Sequence, residues 1–209
     1  MQPDLAKIKH IIFDLGGVII DLDEGATSRA FANLFNKSEE EIIAFSQEAF
    51  FKAYEIGEID DPTFRAKIRE EFEFTGSEDQ IDAAWNAMLG KIDKDKIDLL
   101  ERLSEQYELY VMSNTNDIHM RFFNRVFEHM SGGRRFYTFF KEVYYSQEIG
   151  ERKPNPGAWQ VILNDHQLTA AECLFIDDKL KNTEAAAQLG IQTYQNQRPR
   201  DWMALFQTN

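Results

Sequence analysis

The sequence predicts an α/β fold, in which a parallel β-sheet is covered by helices on both faces and carries an inserted helical segment. Two observations support this fold class. Short, almost continuously apolar runs alternate with segments of helical periodicity, which is typical of buried parallel strands joined by helices. From about residue 27 to 90, however, the periodicity is helical throughout. The alternation predicts a Rossmann-like core, and the interruption predicts an α-helical second lobe.

Five segments have the composition of strands, and turn or polar residues bound the stronger ones. The three strongest are 8–15, 108–114 and 173–178, and the weaker candidates are 143–146 and 192–194. The helical pattern predicts core helices at 94–106, 117–130, 156–166 and 179–189. It also predicts inserted helices at 27–36, 39–55, 62–73 and 78–89, with Gly57, Pro62 and Gly76 between them.

Composition limits the classes of function. The 209 residues include 23 Lys and Arg against 36 Asp and Glu, for a net charge of −13. This balance argues against nucleic acid or an anionic membrane as the main partner, because both attract basic surfaces. It also repels anionic substrates, so a phosphate-handling function would require a cation in the site. One cysteine, Cys173, excludes an intramolecular disulfide. Without a long apolar run, the chain is expected to be soluble and cytoplasmic.

Polar side chains follow the predicted strands at the points where they end. Asp14 follows the first strand, Ser113 and Asn114 end the second, and Asp177 and Asp178 end another. Each of these residues alone is typical of a turn or a helix cap. Together, at the edge of a parallel sheet where ligands bind, they favour a catalytic site. Lys153 follows the weak strand at 143–146 and adds a positive charge to this set.

The sequence resembles the haloacid dehalogenase (HAD) superfamily. Its four motifs occur in order as IIFDLGGVIID, VMSN, the lysine of RKPNP, and FIDDKLKN. The helical insertion lies where the family carries its type-one cap. The chain looks most like the alpha-D-glucose-1-phosphate phosphatase group, through DLGGVIIDLD, YEIGEI and SNTNDIH. This HAD-like resemblance implies a catalytic core of residues 1–22 and 93–209 and a helical cap of residues 23–92. It implies a phosphatase acting on a small phosphorylated metabolite, such as a sugar phosphate.

The resemblance also implies a Mg²⁺ site and a nucleophile. Asp14 would attack phosphorus and form an aspartyl-phosphate that water then hydrolyses. Mg²⁺, a hard ion that prefers oxygen ligands, would be bound by Asp14, the carbonyl of Gly16, Asp177 and Asp178. Asn182, in the fourth motif, would orient the paired carboxylates, although a surface helix position is the alternative.

The phosphate would be held from the other side of the site. The resemblance assigns this role to Ser113, to backbone amides near Asn114, and to Lys153. Lys153 would be catalytic as well, because its charge neutralises both the phosphate and Asp14.

One position departs from the family pattern. HAD phosphatases usually carry a second Asp two residues after the nucleophile, which protonates the leaving group, and here that residue is Gly16. Loss of a general acid or base costs about 10²–10⁴-fold in rate. Either the leaving group departs without a proton, or Asp21, Asp23 or His119 replaces the acid. The alternatives are solvated turn residues for Asp21 and Asp23, and a helix-surface or packing residue for His119.

Other features leave the function partly open. Tyr54, Glu55 and Glu58 end a predicted cap helix, which makes them candidates to face the substrate. One alternative function is a 2-haloacid dehalogenase-type hydrolase, which needs no metal and would leave Asp177 and Asp178 as unpaired charges. Another is a catalytically weak regulator that binds a phosphometabolite or a protein partner. The sequence is compatible with a monomer or a homodimer.

Overall fold

The computed structural model describes residues 2–207 and contains a parallel sheet in the order β3-β2-β1-β4-β5. The strands are β1 (His10–Phe13), β2 (Glu108–Ser113), β3 (Glu142–Tyr145), β4 (Cys173–Asp177) and β5 (Gln192–Gln195). The predicted fold class is confirmed, and each of these strands lies within or close to a predicted segment. The first strand occupies the centre of the sheet, so the carboxyl ends of β2 and β4 flank the end of β1.

Helices connect the strands and form the inserted segment. The inserted helices are α1 (Glu24–Phe35), α2 (Glu39–Phe45), α3 (Ala49–Glu55), α4 (Asp61–Phe72) and α5 (Glu78–Trp85). The remaining helices are α6 (Lys94–Ser104), α7 (Asp117–Met130), α8 (Ser146–Ile149), α9 (Gly157–Asp165) and α10 (Leu180–Gln188). None of these described helices is long and apolar enough to cross a bilayer.

The sheet is buried on both faces, which explains the continuous apolar runs. Ile11 and Phe13 of β1 join one hydrophobic cluster, and Ile12 between them joins a second cluster on the opposite face. The first cluster includes residues of α6 and α7, and the second includes residues of α9 and α10. A strand buried on both faces has no polar side to alternate with the apolar one.

The inserted helices form a third hydrophobic cluster, which Ile118 of the core helix α7 also joins. It contains Phe31, Ile42, Phe64 and Ile81, drawn from four of these helices. The two segments that connect the helices to the sheet run side by side, with Leu22 and Leu89 in an antiparallel bridge. The separate cluster supports a cap over residues 23–92, and those boundaries stay a prediction.

Two inserted helices differ from their prediction. The helix predicted over 39–55 is in fact two, because α2 ends at Phe45 and α3 begins at Ala49. The break lets the ring of Phe45 pack against those of Phe50 and Phe51, with centroids 5.4 and 5.3 Å apart. The helix predicted over 78–89 ends at Trp85 and continues only as a 3₁₀ turn, Asn86–Met88.

Candidate active site

The register of the sheet places two aspartates side by side. Phe13 of β1 pairs with Ile176 of β4, so the next residues, Asp14 and Asp177, are neighbours. The amide of Asp14 donates to the carbonyl of Ile176 at 2.8 Å, which extends the ladder to the site. Both aspartates are buried. With Asp178 they form a cluster in which one carboxylate oxygen of each lies within 4.8 Å of the others.

Lys153 lies between the two buried aspartates. Its Nζ is 2.7 Å from Oδ1 of Asp14 and 2.7 Å from Oδ2 of Asp177, and its side chain is 1% exposed. The side chain of Asn114 holds the backbone of Lys153 at two points. Oδ1 accepts from the amide of Lys153 at 2.9 Å, and Nδ2 donates to its carbonyl at 2.8 Å. The Asn114 side chain therefore positions Lys153. Only the backbone amide of Asn114 remains available to bind a phosphate.

The two adjacent aspartates of the fourth motif have different surroundings. Asp177 accepts hydrogen bonds from Lys153, from the amide of Lys179 at 2.8 Å, and from Nδ2 of Asn182 at 3.0 Å to each oxygen. Asp178 is only partly buried, and within residues 2–207 it forms one ion pair, with Lys179 at 3.2 Å. It lies so close to Gly17 that a Cβ there would be 2.8 Å from its Oδ2. Hydrogen bonds thus hold both carboxylate oxygens of Asp177 in place, whereas Asp178 keeps lone pairs that could bind a cation.

The electrostatics of the cluster favour an additional cation. Burial raises the pKa of Asp14 to about 7, although the charge of Lys153 opposes this. Burial also raises the pKa of Asp178. Two ammonium groups, those of Lys153 and Lys179, face the three carboxylates, and Asp14 and Asp178 still ionise less readily than normal carboxyl groups. A divalent cation would offset this repulsion, and carboxylate oxygens are the ligands that Mg²⁺ prefers.

A cavity of about 230 Å³ adjoins this cluster, between the end of the sheet and the inserted helices. Its core wall includes Gly16 and Ser113, and its other wall includes Glu55 and Trp85. A larger depression of about 550 Å³ beside β5 contains none of the predicted site residues. Of the three cap residues singled out in the sequence, only Glu55 lines the cavity near the carboxylates.

His119 lines the same cavity and is neither an exposed residue nor an acid. Its ring stacks on Trp85 with centroids 4.9 Å apart, and Nδ1 lies 2.8 Å from Oδ1 of Asn86. Burial lowers the pKa of His119 to about 3, so the ring is neutral near pH 7. Because an amide oxygen only accepts, Nδ1 carries the proton and Nε2 is an acceptor. A neutral ring with its proton directed at Asn86 has no proton to give a leaving group, which disfavours His119 as the replacement for the missing acid.

Asp21 and Asp23 are also disfavoured as replacements for the acid, because the carboxylate of each is engaged in a structural contact. Oδ1 of Asp21 lies 2.8 Å from Nζ of the fully buried Lys96, so Asp21 is not a solvated turn residue either. Asp23 caps α1 through the amide of Gly25 and pairs with Arg29. Neither aspartate lines the cavity.

The sequence analysis did not single out Lys96, Trp85 or Arg152. Lys96 lies on the buried, apolar face of α6. A lysine at an apolar position of the helical pattern is unusual, and this could have indicated a buried ion pair. Trp85 and Arg152 gave no comparable signal in the sequence. Trp85 stacks on His119 and Arg152 contacts Glu55, and both contacts join the inserted helices to the core. Asn116 caps α7, and its Oδ1 accepts from the amide of His119 at 3.0 Å and from Nε1 of Trp85 at 3.2 Å.

The chain is similar to known proteins over most of its length. Residues 8–190 match the family model described as haloacid dehalogenase-like hydrolase. The chain is 28% identical to the D-ribitol-5-phosphate phosphatase of Bacteroides thetaiotaomicron over 93% of this chain and 95% of that protein.

Two solved structures are similar over almost the whole chain. The HAD family enzyme BT-2542 of Bacteroides thetaiotaomicron, in complex with magnesium and inorganic phosphate, has a TM-score of 0.88 and 37% identity, covering 96% of this chain and 100% of that one. A predicted HAD-like family hydrolase of Porphyromonas gingivalis has a TM-score of 0.85 and 28% identity, covering 97% and 100%.

Proposed function

Because the chain belongs to the haloacid dehalogenase-like hydrolase family, we propose that it is a Mg²⁺-dependent phosphatase that acts on a phosphorylated sugar or polyol through an aspartyl-phosphate. The observation that carries this proposal is the buried array of Asp14, Lys153 and Asp177, with Lys153 at 2.7 Å from both aspartates. A relative named as a D-ribitol-5-phosphate phosphatase supports the choice of substrate class.

The contacts of Asp14 suit a nucleophile. Its Oδ1 accepts from the amide of Leu15 at 2.7 Å and faces Lys153. Among residues 2–207, no group donates a hydrogen bond to its Oδ2, so this oxygen keeps its lone pairs for attack on phosphorus. Two contacts on one oxygen also fix the orientation of the carboxylate, which lowers the entropic cost of reaching the transition state.

The residues present fit a Mg²⁺ ion. We assign its protein ligands to Asp14, Asp178 and the carbonyl of Gly16, with Asp177 adjacent in the carboxylate cluster but engaged in fixing Lys153 and the turn before α10. When bound, Mg²⁺ supplies positive charge that reduces the repulsion between the Asp14 carboxylate and the phosphate. The similar BT-2542 structure is a complex with magnesium and inorganic phosphate, which supports the use of Mg²⁺ by this chain.

The chain's own groups complete the phosphate site. Ser113 is buried at the end of β2, and its hydroxyl makes no hydrogen bond with another described residue, so it is available to a phosphate oxygen. Lys153 stabilises the charge that develops on the transferring phosphoryl group. Nε2 of His119 is an acceptor on the cavity wall, and we assign it to a hydroxyl group of the leaving alcohol.

Steady-state hydrolysis of a panel of phosphates tests this function. We expect D-ribitol 5-phosphate, alpha-D-glucose 1-phosphate or a related compound to be hydrolysed with Mg²⁺ and not with a chelator. Asp14→Asn should abolish hydrolysis. Hydrolysis of chloroacetate-type compounds without metal, and of no phosphate, would support the dehalogenase alternative. Tight phosphometabolite binding without hydrolysis would support the regulator.

A further inference from the structure

The proposed reaction leaves one proton without a source. When the bond from phosphorus to the leaving oxygen breaks, an alkyl alcohol needs a proton at that oxygen to depart readily. Gly16 has no side chain to supply it, and a Cβ at this position would lie 2.6 Å from Cδ1 of Leu22. Asp21 is paired with Lys96, Asp23 caps α1, and His119 is neutral. For an alkyl leaving group, the remaining candidates for the acid are the other groups on the wall of the cavity.

We propose that Glu55 of the inserted helices is the general acid that protonates the leaving oxygen, an inference that rests on the proposed phosphatase function. Glu55 ends α3 and lines the cavity that Gly16 and Ser113 bound from the core side. It is the one Asp or Glu among the described residues that line this cavity. Its Oε2 is buried and has no hydrogen-bond partner among residues 2–207.

Arg152 positions this carboxyl group. Its Nη2 lies 2.6 Å from Oε2 of Glu55, in a contact that lacks hydrogen-bond alignment. Arg152 directly precedes Lys153, so the same loop holds the acid and neutralises the phosphate. Burial raises the pKa of Glu55, and the Arg152 charge opposes this without reversing it. A raised pKa leaves a larger fraction of this carboxyl group protonated at a given pH than in an ordinary glutamate, which favours its use as an acid.

The end of α3 is held against the core. Gly57 has φ +75°, and a Cβ at this position would be 2.2 Å from the carbonyl oxygen of Gln147. This close approach places the segment that carries Glu55 directly on α8, which leads into the Arg152–Lys153 loop. The position of Glu55 is thus set by the core and by the inserted helices together.

The two half-reactions balance with Glu55 in this role. In the first, an Asp14 oxygen bonds to phosphorus, the bond to the leaving oxygen breaks, and the Glu55 proton passes to that oxygen to give the free alcohol. In the second, the Glu55 carboxylate takes a proton from water as the water oxygen bonds to phosphorus and the Asp14–phosphorus bond breaks. Asp14 and Glu55 return to their starting forms, and the products are the alcohol and inorganic phosphate.

Leaving groups of different basicity test the proposal. The two substrates are D-ribitol 5-phosphate, whose alcohol needs a proton, and p-nitrophenyl phosphate, whose phenolate departs without one. For Glu55→Gln we expect kcat/KM to fall about 10²–10⁴-fold with the first substrate and by less than about threefold with the second. An equal loss with both substrates, or no loss with either, would overturn the assignment.

A control variant and a binding measurement separate catalysis from folding. Glu48→Gln changes an exposed carboxyl at the opposite end of the same helix and should leave both substrates unaffected. Glu55→Gln should bind inorganic phosphate with Mg²⁺ as the unmodified protein does, measured by calorimetry. Loss of that binding would mean that Glu55 maintains the site structurally, against the proposal. If the unmodified protein hydrolyses neither substrate, the phosphatase function fails, and the role of Glu55 fails with it.

Discussion

At the scale of single residues, the site depends on one buried ammonium group that pairs with two buried carboxylates. Lys153 is hydrogen bonded to Asp177 and lies 2.7 Å from Asp14. The charges of Asp14 and Asp177 keep its pKa above the usual value, although burial alone would lower it. Such a cluster is costly to take apart, because removal of one partner leaves the others buried without compensation.

We therefore expect Lys153→Met to lower both stability and activity. Removal of one partner from a buried ion pair costs about 3–5 kcal/mol, and phosphate hydrolysis should be lost. Urea denaturation gives the free energy of unfolding. The double variant Asp14→Asn/Lys153→Met should recover part of that loss, because only Asp177 is then left without the ammonium. A single variant as stable as the unmodified protein would contradict the buried ion-pair assignment.

His119 makes stability depend on pH in a defined direction. Its pKa is about 3 in the folded protein because of burial, against about 6.5 in an unfolded chain. The unfolded state thus binds the extra proton, so this contribution is complete above pH 6.5 and decreases as the pH falls toward 3.

Between pH 7 and pH 5, His119 should cost the folded state about 2 kcal/mol. Urea denaturation at both pH values, for the unmodified protein and for His119→Gln, isolates this contribution because the other groups are shared. The variant should lose about 2 kcal/mol less over this interval. Parallel losses in the two proteins would show that His119 is not buried in its neutral form.

At the scale of elements, the contact between the end of α3 and α8 joins the inserted helices to the catalytic loop. We expect Gly57→Ala to cost about 2–4 kcal/mol, from left-handed backbone strain and from overlap with the Gln147 carbonyl. It should also slow hydrolysis of alkyl phosphates, because Glu55 is displaced.

Gly132 provides the matched control for Gly57. It also has positive φ, +73°, but a Cβ there would meet nothing within 4 Å. Gly132→Ala should therefore cost only the backbone strain, about 1–2 kcal/mol, without a change in turnover. Equal losses in the two variants, by thermal or urea unfolding, would show that the approach to Gln147 is not a tight contact.

Elements differ in how far the sequence predicts them. The strands were predictable because β1, β2 and β4 are buried on both faces, which gives short apolar runs that end at Asp14, Ser113 and Asp177. The break between α2 and α3 was not, because it follows from aromatic packing around Phe45 among separate helices. Local periodicity does not include such tertiary contacts.

In the candidate site, too, some residues were predictable from the sequence and others were not. Asp14, Lys153 and the paired aspartates follow from motifs at strand ends, and the sheet brings them together. The roles of Asn114, His119 and Arg152 depend on contacts between distant segments, such as the two hydrogen bonds that hold Lys153 to Asn114. No local pattern specifies which side chain fills such a contact.

At the scale of the whole molecule, the net charge of −13 is compatible with an anionic substrate. Asp14, Asp177 and Asp178 concentrate part of that charge at the proposed cation site, and Lys153 is buried next to them. We expect Mg²⁺ to stabilise the fold by about 2.7 kcal/mol at 100 times its Kd. Asp178→Asn should weaken this stabilisation, measured as the Mg²⁺-dependent shift in Tm. An identical shift in the variant would contradict the assignment of Asp178 as a ligand.

The central claim is that Asp14 carries the phosphoryl group during turnover. Rapid acid quench of enzyme mixed with ³²P-labelled substrate and Mg²⁺ tests it directly, with mass spectrometry of the digested protein to locate the label. We predict transient labelling of the peptide that contains Asp14, no label in Asp14→Asn, and longer-lived label in Glu55→Gln. Rapid hydrolysis with no protein-bound phosphate at any quench time, or label on another residue, would contradict the account.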